Sequence, residues 1–203
     1  INIIFFQLMF IRMIERSIIN VKRMELVWDN ISGIIEELSM KNIPNISRFS
    51  IDILGIIIMF SLRKFRQRKT SEADNTKEDS DDNKRQQLLF NPLIKLITTE
   101  IPNKAEINES IIINMTKVLQ KSGTFLNKKG WSSFIEILCY LLSVKENTVQ
   151  FEKIFKIIEE IFNEYLSYLS IENIEPMINI LEQFALSKQN DNISYSAIAL
   201  FFS

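Results

Sequence analysis

Histidine is absent from the 203 residues, so Ser-His-Asp and Cys-His catalytic arrangements cannot be built within them. Cysteine occurs once, at Cys139. One cysteine permits neither an internal disulfide nor a cysteine-based zinc site, and it makes the reducing cytosol the default compartment. Cys139 falls at the edge of an apolar helical stripe, which predicts a buried, inert thiol. Only 4 glycines and 4 prolines occur. Sandwiches, barrels and dinucleotide-binding folds need Gly/Pro-rich turns or Gly-rich phosphate loops, and neither GxxxxGK[ST] nor GxGxxG is present. Charge of one sign is lacking too. The formal net charge is −1, which gives no electrostatic case for nucleic acid or an anionic membrane. Long apolar runs are missing as well. INIIFFQLMFI is interrupted by Gln7 and stops at Arg12, and Leu54 to Leu62 is shorter still. Both fall short of the roughly 20 residues of a membrane span. The chain opens at Ile1 rather than Met and closes inside an apparent helix, so it reads as a fragment.

What is present is helical periodicity. The stretch from Gly123 to Phe162 organises the rest. Phe134, Ile135, Leu138, Leu141 and Leu142 share one face, and Phe151, Ile154, Phe155, Ile158, Ile161 and Phe162 share another. A few polar residues join the two stripes, which predicts an antiparallel hairpin. Each stripe is too wide for one partner helix to cover, so further hairpins should stack on both sides. The same pattern predicts helices over about 3–19, from a polar corner at Asn20–Arg23 to Leu38, over Ser47–Phe65 with Gly55 permitting close approach, from about Gln86, from about Ala105 to a stop at Ser122-Gly123, around Ile174–Ala185 with Pro176 in the first turn, and from Asn192 onward. Pairs recur at about 40 residues, the spacing of HEAT and armadillo repeats. The expected fold is an all-α, HEAT/armadillo-like solenoid of antiparallel helix hairpins.

Residues 66–87 break this pattern with six basic and six acidic side chains and nothing aliphatic larger than Ala73. Such a stretch cannot bury enough apolar area to offset its ordering entropy and is expected to be disordered. The domain reading is therefore helical repeats over 1–65, a disordered polar insertion over 66–87, and helical repeats over 88–203. Ser71 and Thr76 precede acidic residues and could accept phosphate, although an inert solvated insertion is the favoured reading.

No catalytic, cofactor-binding or metal-binding residue is assigned. Glu159 and Glu160 are sequence neighbours and do not share a helix face. Glu78, Asp79, Asp81 and Asp82 lack the spacing and the glycine of a calcium loop. The Asn-X-Ser/Thr sequons at Asn30, Asn45, Asn108, Asn114 and Asn192 follow from an Asn-rich composition. Recurrent phenylalanines read as core. Arg48 either ties adjacent repeats together or is a plain surface arginine.

Several stretches resemble one family. VKRMELVWDNISGIIEELSMKNIPNISRFSIDILGIIIMFSLRKF (21–65) is similar to a Trp, helix, turn, Arg, helix repeat of the large Arf guanine-nucleotide exchange factors and of the related Mon-two family. QQLLFNPLIKLI (86–97) resembles a Leu-rich Asn-Pro-Leu helix that follows a variable insertion. LQKSGTFLNKKGWSSFI (119–135) resembles a Leu-Gln, Ser-Gly, Gly-Trp pattern. Asn192-Ile193-Ser194 with Ala197, Ile198 and Leu200 resembles an Asn-Ile-Ser signature, with Ala199 in place of its glycine and Phe201-Phe202 in place of Leu-Trp. The order is collinear, and the Asn-Pro-Leu and Asn-Ile-Ser elements favour the Mon-two family. That resemblance implies a non-enzymatic cytoplasmic scaffold, peripheral on trans-Golgi network and endosome membranes and active in endosome-to-Golgi transport. The partners it implies are Dopey-like scaffolds, a phospholipid flippase and Arf- or Arl-type GTPases. It carries over no binding residue. Trp28, Arg48, Gly130, Trp131 and Asn192 match its motifs and read as structural. The alternatives are a regulatory helical domain of a large Arf exchange factor and an unrelated HEAT-repeat transport receptor.

Overall fold

Eight α-helices make up almost all of the described chain: α1 (Val21–Met40), α2 (Pro44–Lys69), α3 (Lys77–Thr98), α4 (Lys104–Ser122), α5 (Lys128–Ser143), α6 (Thr148–Glu160), α7 (Ile171–Ala185) and α8 (Asp191–Phe201). This computed structural model describes residues 21–40, 44–69, 77–143 and 148–202, with the single positions 9 and 12. No strand occurs among the described residues, and no helix among them is long and apolar enough to cross a membrane. The all-α class follows from the apolar periodicity and the scarcity of turn residues. The helix expected over 3–19 and the turn at 144–147 lie outside the described residues, as do Ser71 and Thr76.

Several boundaries differ from expectation. Helix α1 takes in Val21–Arg23, which the sequence suggests as a corner. Helix α2 starts at Pro44, whose missing N–H costs nothing in a first turn. Helix α2 runs on to Lys69 and α3 starts at Lys77, so the described helices take in both ends of the stretch expected to be disordered. At its C-terminal end the reason is Gln86 and Asp82, which are buried rather than solvated. Pro176 falls in the second turn of α7, not the first.

Contacts connect each helix with the helix two further on, and most helices with their chain neighbours. Helices α1, α3, α5 and α7 contact one another in that order, and so do α2, α4, α6 and α8. The broadest contacts are α3 on α5 and α2 on α4. The core is continuous between the two rows. Trp131, Phe134, Phe90, Leu93 and Ile158 are each fully buried in it. Phe90 and Trp131 both meet Phe134 edge-on, at 6.3 and 5.7 Å between ring centroids, a geometry favoured by the ring quadrupoles.

Glycines mark the closest approaches. Gly55 lies against Asn114 of α4: a Cβ there would fall on its Oδ1 and 2.8 Å from its Cγ. The close helix contact expected at Gly55 is therefore present. Gly123 acts differently from expectation. It follows the last residue of α4, but its φ of −55° is right-handed, so it is no left-handed stop. It opens a 3₁₀ turn (Gly123–Phe125) and is small because a Cβ would come 2.7 Å from the Tyr165 ring. Between α3 and α4 the chain turns through Asn103, at φ 57°. The Lys104 ammonium then caps α3, donating to the carbonyls of Leu96 (2.6 Å) and Thr99 (2.5 Å). Burial lowers that lysine's pKa, against an opposing pull from Glu100.

Candidate interaction surface

From α2–α4 onward, each contact between helices two apart carries a polar tie. Between α2 and α4, Asn114 Nδ2 donates to Asp52 Oδ1 (3.1 Å) and to its own helix at Ser110 O (2.9 Å). Between α3 and the loop that leads into α5, buried Gln86 donates to Phe125 O (3.0 Å) and accepts from Asn127 N (2.9 Å). Between α4 and α6, Gln150 donates to Ala105 O (3.0 Å) and Lys153 pairs with Glu109 (2.5 Å). Between α5 and α7, buried Asn173 donates to Lys128 O (3.1 Å) and accepts from Ser132 Oγ (2.8 Å), beside the pair Lys128–Glu172 (2.5 Å). Between α6 and α8, Asn190 donates to Glu152 Oε1 (3.0 Å) while its Oδ1 caps α8 at Asn192 N and Ile193 N. After α3 the partners are repeatedly 38 to 45 residues apart in sequence. The α2–α4 tie spans 62, because the polar stretch intervenes.

The five residues singled out by their motifs fall into these contacts unevenly. Trp28 and Trp131 are buried, and neither indole N–H has a partner. Gly130 is buried against Gln86, so the Gln-Gln and Gly-Trp stretches meet in space. Asn127 Oδ1 accepts from Gly130 N at 2.8 Å and starts α5. Asn192 is exposed. In its motif it is Ser194 that ties helices, donating to Ser187 O (2.7 Å) at the end of α7. Arg48 is exposed and lines a cleft of about 360 Å³ with Glu106, Glu109, Asn103 and Ile113. Its charge is the smallest of the influences that lower the pKa of Glu109 on α4, after the bond and charge of Lys153. The sequence alone does not single out Gln86, Asn173 and Asn190. Their signal is a lone amide within an apolar helical run or just before one, and a surface amide gives the same signal.

A second cleft of about 400 Å³ lies along α5 and α7, lined by Ile135, Glu136, Cys139, Tyr140 and Pro176. Cys139 is exposed here, which corrects the expected buried thiol. It sits at the stripe's margin, where α7 leaves a groove. Desolvation and the Glu136 charge push its pKa up, so it is protonated and a poor nucleophile. Among the described residues no three Cys, Asp or Glu side chains gather as metal ligands would.

The exposed ties make acid sensitivity a prediction. The hydrogen bond and charge of Lys153 hold the Glu109 carboxyl below its ordinary 4.5, with a smaller contribution from Arg48. Lys128 lowers Glu172 in the same way. A lowered acid stabilises the fold above its unfolded pKa, and that stabilisation is lost as pH falls through the folded value. Glu160 opposes this, since burial raises its pKa, followed by a lowering bond from Gln120. The urea midpoint should therefore drop modestly from about pH 5 to about pH 3. Lys128→Met with Lys153→Met should flatten that drop. An unchanged slope in the double variant would remove the two pairs from the account.

No family model, curated protein or solved structure matches the chain.

Proposed function

We propose that the chain is a non-catalytic, helical-repeat scaffold of the HEAT/armadillo-like solenoid kind, working in Golgi and endosome vesicle trafficking as Mon-two proteins do. The observation that carries the scaffold reading is the recurrence of one polar tie per helix step at 38 to 45 residues after α3. A repeated interface at a repeated spacing is what stacked hairpins need, and stacked hairpins present long, shallow surfaces rather than a reaction pocket. The trafficking role rests on the sequence motifs. Gln86 and Gly130, from two of those motifs, pack on each other, which supports the motifs as parts of one structural pattern. The proposed partners are Dopey-like scaffolds, a phospholipid flippase and Arf-type GTPases, met peripherally at the membrane.

The test is affinity purification of the tagged 203-residue chain from cells, with mass spectrometry. Dopey-like, flippase or Arf-family proteins in the eluate are the expected result. Nuclear-transport cargo in their place would support a transport receptor and contradict the trafficking reading.

A further inference from the structure

We draw no further inference here: the strongest candidate, the cleft of about 360 Å³ between α2 and α4 with Arg48 on one wall and Glu106 and Glu109 on the other, carries charges of both signs and has Glu109 already engaged by Lys153, so nothing in the structure shows what would occupy it.

Discussion

Trp131→Ala should be the most damaging single substitution in the described core, lowering stability by about 3–5 kcal/mol. Trp131 is fully buried at the start of α5. Its ring meets Phe134 at 5.7 Å and Tyr165 at 5.8 Å. Truncation therefore opens a large void between α5 and the chain beyond α6, and neighbours held by their own helices can fill it only partly. The indole N–H has no partner, so its loss adds no penalty. Trp131→Phe should cost much less than alanine, because it keeps the ring contacts and removes an unpaired polar group. Urea denaturation of the three proteins checks this. Similar midpoints for the alanine and phenylalanine variants would mean that the volume of Trp131 is not what matters.

The second large effect reverses an ordinary rule. Glycine to alanine inside a helix normally stabilises by about 1 kcal/mol. Gly33 in α1 should obey this, because it is exposed and nothing lies within 4 Å of an added Cβ. Gly55→Ala should instead destabilise by about 1–3 kcal/mol. The new methyl falls on Asn114 Oδ1 and within 3.2 Å of its Cβ, so rotating the amide away is not enough and the helices must part. Asn114 is buried, and moving it breaks its bonds to Asp52 and Ser110. The pair of substitutions compares one chemical change in two settings. Opposite signs in the urea midpoint are expected, and stabilisation by both would show that α2 and α4 do not approach this closely.

The helices were legible from the sequence because each has a wide apolar stripe and few residues interrupt them. Leu138, Ile154 and Ile158 were placed inside by spacing alone, and all three are buried. Gly55 was legible for a related reason: a glycine amid Ile and Leu has little purpose other than close contact. The polar ties were not legible. Gln86 lies at the end of a charged stretch whose composition argues for solvent, and its burial depends on the loop at Phe125–Asn127, far away in sequence. A helical wheel puts Cys139 at the margin of a stripe but does not give the width of the groove beside it. Glycine after a helix suggests a left-handed φ at Gly123, whereas the constraint there is the Tyr165 ring. Local pattern thus identified the elements, and the contacts between elements were hidden because they pair residues about 40 positions apart.

The central claim is that alternate helices stack into two rows. Cysteine pairs in a Cys139→Ser background test it most directly. Glu109→Cys with Lys153→Cys joins α4 to α6, Lys128→Cys with Glu172→Cys joins α5 to α7, and Asp29→Cys with Glu172→Cys sets a control between α1 and α7. A short bifunctional maleimide should cross-link the first two pairs within one molecule and leave the control unlinked. Failure of both stacking pairs in the folded protein, or efficient linkage of the control, would contradict the account.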